Sequence, residues 1–340
     1  MEKLYLIPKD GNFYKANLHC HSTISDGQKT PEEIKEIYKR HGYSVVAYTD
    51  HDMLIPHHDL TDDTFLALTG IEYGVEQPTD KPDQYMKVCH LCCIALEKEN
   101  EIQPMWHRSK YITTVNAWTN REFVKFDETK PDYERRYGSE GITEMMNIAR
   151  DEGFFVTYNH PVWSQENYPE YMGYSGMHAM EIFNGGSHAA GFDEENFRVY
   201  DDMLKGGKKI CCIGADDNHS TSEDSPYTDS FRAFTMIKSP DLEYRNITKA
   251  LEDGNFYSSQ GPEIYELYVE DGKVHVECSP AVKIYCNHDG RYAQVRYPEN
   301  EEFITSAVFD IPEDFGYFRI TVMDKTGKRA CTNAYFTEEM

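Results

Sequence analysis

The sequence has no apolar run long enough to cross a membrane, which excludes a helical integral membrane protein. It is poor in basic residues, with 34 Lys and Arg against 59 Asp and Glu, for a formal net charge of −25. A long nucleic acid needs clustered Lys and Arg, so duplex binding is excluded over most of such a surface. A small anionic substrate drawn into a local pocket stays permitted, because the field inside a cleft is set by its own lining and not by the net charge. Met1 to Asp10 lacks the apolar core of a secretory signal. The nine cysteines are odd in number, and Cys89, Cys92, Cys93, Cys211 and Cys212 lie in apolar, strand-like runs. They read as buried packing thiols in a reducing compartment, not as a disulfide framework. These absences predict a cytoplasmic protein with no membrane partner; they leave the oligomeric state open.

Several catalytic signatures are missing as well. There is no G-x-S-x-G elbow, no P-loop, no G-x-G-x-x-G after a strand and no H-E-x-x-H. That disfavours a serine hydrolase of the elbow type, a nucleotide-cradling fold and a thermolysin-like protease.

What is present is an α/β pattern. With 340 residues, 39% hydrophobic and 13% aromatic, the chain can bury one large domain and a small appendage. Short apolar runs alternate with amphipathic stretches over residues 1–260, which implies parallel strands with covering helices. Strands are expected at 14–18, 44–49, 64–68, 85–96, 154–158, 180–183, 209–213 and 231–237. Helices are expected at 31–41, 143–152, 194–205 and 241–252. A polar insertion at about 97–140 concentrates Arg108, Lys110, Arg121, Lys125, Arg135 and Arg136. It reads either as a solvated excursion or as a lid offering Arg to an anionic substrate. From 261 to 340 the pattern changes to period-two strands with Asp271-Gly272 and Asp289-Gly290 turns, predicting a C-terminal antiparallel β-sandwich module.

Islands of His and carboxylate punctuate the first part: His19-Cys20-His21, Asp26, Asp50-His51-Asp52, Glu72, His90, His160, and Asp216-Asp217-Asn218-His219. Almost every island follows a strand-like run, where barrel enzymes keep their chemistry. His19 and His21, two apart on an extended chain, face one side together. Glu72 follows an apolar run and suits a bridge between two ions, since a lone buried Glu is costly. Asp50 and Asp52 are expected to orient ligating imidazoles. His107, His178 and His188 are candidates for the pocket edge, and Gly185-Gly186 would let backbone amides approach a ligand near His188.

As an ordered set the islands resemble the PHP (polymerase and histidinol phosphatase) superfamily of metallohydrolases. The matching residues are His19-x-His21, Ser25-Asp26-Gly27, Thr49-Asp50-His51, Glu72, His90, His160 and Asp217-x-His219, over roughly residues 13–258. Tyr257 to Pro262, leading into the β-rich tail, also looks like the CehA/McbA-like branch. The resemblance implies a distorted (β/α)7 barrel with two or three divalent ions at one mouth. It places His19, His21, Glu72 and Asp217 on the first ion, Glu72, His90 and His160 on the second, and Asp26, His51 and His219 on a third. Ala215-Asp216-Asp217 departs from the usual Gly-Ser-Asp of relatives; the spacing to His219 favours Asp217. Mixed His and carboxylate ligands suit Zn, Mn or Fe.

The expected activity is hydrolysis of a small phosphorylated substrate by a hydroxide bridging two ions. Asp217 and Glu72 would carry the ions, and His188 is the candidate acid for the leaving oxygen. The alternative is a carboxylic ester, carbamate or amide hydrolase on the same site. An Arg-lined pocket favours phosphate; one lined by Trp106, Trp118, Trp163, Tyr168, Tyr171 or Tyr174 favours a neutral ester.

Overall fold

The computed structural model describes residues 3–82, 85–223, 225, 227–312 and 314–340. Its first strands are β1 (Leu4–Tyr5), β2 (Asn12–Asn17), β3 (Val45–Tyr48), β4 (Leu66–Glu76), β5 (Val88–Ala95), β6 (Phe154–Tyr158), β7 (Ala179–Asn184), β8 (Cys211–Ala215) and β9 (Phe234–Ser239). There follow β10 (Phe256–Ser259), β11 (Ile264–Glu270), β12 (Lys273–Ala281), β13 (Lys283–His288), β14 (Gln294–Arg296), β15 (Ile304–Asp310), β16 (Tyr317–Met323) and β17 (Arg329–Thr332). The helices are α1 (Pro31–Arg40), α2 (Val115–Asn120), α3 (Ser139–Asp151), α4 (Tyr168–Gly173), α5 (Gly185–Ala189), α6 (Phe197–Lys205) and α7 (Tyr244–Glu252).

Local sequence sets these elements in legible ways. At α1 the Thr30 hydroxyl accepts from the Glu33 amide while the Glu33 carboxylate accepts from the Thr30 amide, and Pro31 fills the first turn. Ile34, Ile37 and Tyr38 then share the buried face. Helix α3 begins a turn earlier than its apolar periodicity indicates, at Ser139, after Gly138 has turned the chain with φ 112°.

The result is a mixed α/β fold with a large mixed sheet and a smaller antiparallel one. In the large sheet β2 to β8 lie side by side in chain order. The pairs β2/β3, β3/β4, β6/β7 and β7/β8 are parallel, as expected from the alternation. Strand β5 departs from this and runs antiparallel to both neighbours. The reason is the link from β4: Gln77 N donates to Lys87 O and closes a hairpin, whereas a parallel pair needs a long crossover. Beyond β8, residues 216–218 lie along 19–21: Cys20 and Asn218 form a parallel bridge, and Asp217 N donates to His19 O at 3.0 Å. The sheet thus curves until its first and last strands meet at one mouth.

The antiparallel sheet β1–β11–β12–β15 faces β13 and β16 across one apolar cluster, with Leu267 and Val276 on one side and Ile284 and Val322 on the other. At the Asp271-Gly272 turn both residues have positive φ, 51° and 70°, the requirement of a tight two-residue hairpin. Strand β17 pairs with β10 and carries the tail into the large sheet, while β1 joins the small one. No helix among the described residues is long and apolar enough to cross a membrane. All nine cysteines are free, and all but the half-buried Cys211 are buried.

Candidate metal centre

The meeting of first and last strands determines the site. His19 and His21 extend β2, and the 216–219 segment is hydrogen-bonded beside them through His21 N to Asn218 O at 3.1 Å. His51 follows β3 and bridges to Glu72; His160 follows β6. Glu72 does not follow its strand as expected, whereas His90 lies within its strand as expected. They sit inside β4 and β5, because this hairpin continues past the mouth, and register Glu72↔Cys92 with Gly74↔His90 keeps both on one wall.

Glu72 is the hub. Its Oε1 lies 3.1 Å from His19 Nε2, 3.1 Å from His90 Nδ1 and 3.3 Å from His160 Nε2. Its Oε2 lies 3.3 Å from His21 Nε2 and 3.2 Å from His51 Nδ1. Asp217 Oδ1 stands 3.2 Å from both His19 Nε2 and His21 Nε2. Asp26 faces His21, His51 and His219 at 3.6–3.7 Å. Donor atoms lying within 4.8 Å of one another form the sets His19-His21-Glu72-Asp217, Glu72-His90-His160 and His21-Asp26-His51-His219. They include the groupings the resemblance implies, with His21 added to the third, and a fourth set, His19-His160-Glu181, that it does not imply.

The donor chemistry fits divalent cations. Burial opposes charge on Glu72, yet His19, His90 and His51 hold its carboxyl well below the usual range; Asp217 is held down in the same way, chiefly by His19 and His21 against burial. His21 is raised to about 10, burial being outweighed by Asp217 and Glu72, while burial and His21 depress His51 to about 3. Protons shared among facing imidazoles and carboxylates are what a cation replaces. His21 Nδ1 and Glu72 Oε2 are buried without a hydrogen bond, as ligand atoms awaiting an ion would be. Small residues make room: a Cβ on Gly186 would stand 2.8 Å from Asp217 Oδ2, and one on Gly74 3.2 Å from His90 Nε2. His160 and Asp217 both adopt positive φ, 25° and 53°, so the backbone is strained where these side chains turn inward.

Supporting groups differ from expectation. Neither Asp50 nor Asp52 touches an imidazole nitrogen. Asp50 accepts from the backbone and hydroxyl groups of Ser22 and Ser25, and so shapes the turn that carries Asp26. Asp52 pairs with Arg135 at 2.5 Å. The residue that orients His19 is Glu181, fully buried in β7, 2.7 Å from His19 Nδ1 and accepting the His160 amide. Asn159 Nδ2 donates to Glu72 Oε1 at 3.0 Å. The signal for Glu181 was available: an acid in the otherwise apolar run Ala179-Met180-Glu181-Ile182-Phe183. Asp216 turns away from the centre, accepting from the Phe231, Arg232 and Ala233 amides and the Tyr38 hydroxyl.

Two adjoining cavities open from the cluster. One, of about 320 Å³, contains Glu72, His160 and Asp217 and is walled by Trp163, Gly186 and Ala190. The other, of about 420 Å³, shares Asp26, His51 and His90 with the first and is bounded by the insertion. The insertion is anchored beside the cluster by Thr114 Oγ1 to Ser25 O and Asn120 Nδ2 to Ile24 O. Most of its basic residues are already engaged: Arg108 with Asp132, Lys110 with Glu134 and Lys125 with Glu101 within the insertion, Arg121 stacked over Trp118, and Arg136 with Glu144 of α3. Arg135 alone of the group lines either cavity.

The expected edge histidines are not at the edge. Gly186 and Ala190, four apart, line the cavity; His188 falls between them on the far side of α5 and faces Glu194 at 3.8 Å. His178 stacks on Phe155, and His107 lies against Glu134. Trp106 and Trp118 belong to the insertion, and Trp163 is the tryptophan of the centre, 5.4 Å from the His90 ring and 5.0 Å from His160.

No protein-family profile and no curated protein matches the sequence. Among solved structures it is similar to a two-domain protein containing a predicted PHP-like metal-dependent phosphoesterase from Bacteroides vulgatus, at 16% identity and TM-score 0.44, over 95% of each chain. It is also similar to a protein described as a metal-dependent phosphoesterase from Bifidobacterium adolescentis, at 15% identity and TM-score 0.35, over 65% of this chain and 91% of that one. A third is an amidohydrolase from Chromobacterium violaceum with bound sulfate and no metal, at 14% identity and TM-score 0.37, over 63% and 93%.

Proposed function

We propose that this chain is a metal-dependent hydrolase of the PHP type that cleaves a small phosphoric ester. The supporting observation is the pair of donor sets that share Glu72, with a further set of His21, Asp26, His51 and His219 beside them, all next to one cavity. In this reading β2 to β8 form the distorted (β/α)7 barrel, closed at the Cys20–Asn218 bridge, and residues 261–340 form the appended module. His19, His21, Glu72 and Asp217 hold one ion, Glu72, His90 and His160 a second, and Asp26, His51 and His219 a third. Such ions supply Lewis acidity toward the phosphoryl oxygens and a water acidic enough to act as nucleophile near neutral pH.

The chain's own contribution is positioning. Glu181 fixes His19 with Nε2 turned toward Glu72 and Asp217, and Asn159 holds Glu72. Trp163 shields His90 and His160 from solvent, which strengthens electrostatic interactions within the cavity. His188 is given no part, since it does not face the cavity.

A second reading keeps the ligands and changes the bond to a carboxylic ester, carbamate or amide. It is favoured by Trp163 in the wall and by the pairing of Arg135 with Asp52, which leaves no unpaired Arg in either lining. The test is hydrolysis of nitrophenyl phosphate, acetate and carbamate by Mn- and Zn-loaded protein, with Asp217→Asn as blank. Metal-dependent phosphate release lost in Asp217→Asn supports the first reading. Ester or carbamate cleavage with that same loss supports the second, and full activity of Asp217→Asn with metal bound defeats both.

A further inference from the structure

We propose that the cavity bounded by the insertion is the leaving-group pocket, built for a neutral or cationic hydroxyl-bearing group and against a second anion. This rests on the hydrolase reading above and adds the class of substrate.

Position argues first. The cavity shares Asp26, His51 and His90 with the one that contains Glu72 and Asp217, so a molecule reacting at the cluster extends into it. Its volume of about 420 Å³ suits a small organic group. Val75 and Val88 supply an apolar strip from the extended β4–β5 hairpin, and Tyr111 and Thr113 close it from the insertion.

Charge argues next. Arg135 lines the pocket but is already committed: Nη2 lies on Asp52 at 2.5 Å, Nη1 donates to Gly74 O at 2.8 Å, and the guanidinium sits 4.3 Å from the Tyr111 ring and 5.0 Å from Tyr73. Tyr111 is itself clamped, donating to Glu134 and accepting the Arg135 amide, with its backbone at φ 71°. A bulky residue at positive φ is costly, so this wall is held by its bonds and does not drift. The Arg135 charge is therefore cancelled by Asp52. Beyond the candidate ligand Asp26, the uncompensated charge in the lining is that of Glu76, which is exposed at the end of β4 and has no ion-pair partner among the described residues. The ions that Asp26, His51 and His90 would hold draw an anion to the shared wall, so the discrimination falls at the β4 end, where an anionic group on the leaving alcohol would meet the Glu76 carboxylate and an ammonium or hydroxyl group would be attracted or bonded by it.

The experiment compares two series of esters of the same three alcohols, choline, glycerol and glycolate, one series as phosphates and the other as acetates, on Mn-loaded full-length protein. For whichever series is hydrolysed, kcat/KM for the choline and glycerol members is expected to exceed the glycolate member by about tenfold or more. Glu76→Lys should close or invert that ratio, Glu76→Gln should narrow it, and the distant exposed Glu299→Lys, with the same change in net charge, should leave it intact. Comparing ratios between variants cancels the intrinsic reactivity of each ester. Turnover with the glycolate ester equal or preferred, or with a ratio indifferent to Glu76→Lys and Glu76→Gln, overturns the pocket assignment alone. Absence of turnover in both series while a nitrophenyl ester or carbamate is cleaved overturns the pocket assignment alone, and absence of turnover of all of them defeats the hydrolase reading and the pocket with it.

Discussion

Nδ1 of His19 lies 2.7 Å from Oε1 of Glu181, and the second Glu181 oxygen receives the His160 amide at 2.9 Å. A carboxylate only accepts, so Nδ1 carries a proton, and Nε2, facing Glu72 and Asp217, is the nitrogen an ion would take in place of its proton. One buried acid thus sets the tautomer of one candidate ligand and the backbone of another.

Glu181→Gln should leave the fold intact and weaken metal binding by about 10–100-fold, the usual cost of losing such a partner. Titration against a competing chelator measures it, with circular dichroism as the control for folding. Unchanged affinity would show that packing alone orients His19.

Asp216 and Asp217 are adjacent and should respond differently. Asp216→Ala strips the acceptor from three backbone amides, that of Ala233 buried and those of Phe231 and Arg232 half-buried, at a cost of roughly 2–3 kcal/mol. Asp217→Asn should instead lower metal content, because its carboxylate faces His19 and His21. Urea unfolding of chelator-treated protein and elemental analysis separate the two; the opposite pattern would exchange their roles.

The buried Asp52–Arg135 pair fastens the insertion to the residue after His51. Burial pushes the Asp52 carboxyl up even though Arg135 pulls it down, a sign of strong desolvation at this pair. Arg135→Met alone should cost about 3–5 kcal/mol, since it strands a buried charge, and adding Asp52→Asn should recover part of that loss. A double-mutant cycle by urea unfolding gives the coupling; additive losses would mean the two side chains act independently.

His178 gives a pH dependence outside the candidate metal centre. Burial, reinforced by the nearby Arg150 guanidinium, lowers it to about 4, and the neutral ring accepts the Val156 amide at 2.9 Å while stacking on Phe155. The unfolded chain takes up the proton near pH 6.5 and the folded one near 4, so stability is complete above about 6.5 and declines as pH falls toward 4. His178→Asn keeps an acceptor but cannot titrate, and should lose less Tm between pH 7 and 5 than the wild type. An equal loss in both would assign the acid sensitivity elsewhere.

Much of the centre was legible because ligand chemistry advertises itself locally. His19-x-His21 on an extended segment, Asp-His after an apolar strand, and Asp217-x-His219 carry their reading within a few residues. Glu181 is different. Its meaning depends on β7 standing opposite β2, and nothing near it in the chain announces His19 as its partner. The insertion misleads for the same reason: its basic residues look available in sequence, yet Glu101, Asp132, Glu134 and Glu144 take up most of them once the segment folds back on itself and against α3.

The sequence alone determined most of the longer strands and helices, the Asp271-Gly272 turn and which residues are candidate donors, since these follow from periodicity, turn conformation and side-chain chemistry over short range; the short helices α2, α4 and α5 were not legible in it. Only the tertiary structure decided that β5 runs antiparallel, that Glu181 and not Asp50 or Asp52 orients an imidazole, that His188 faces away, and that Arg135 arrives already paired. Each of these depends on which distant surfaces bury one another, and burial is settled by the packing of the whole chain.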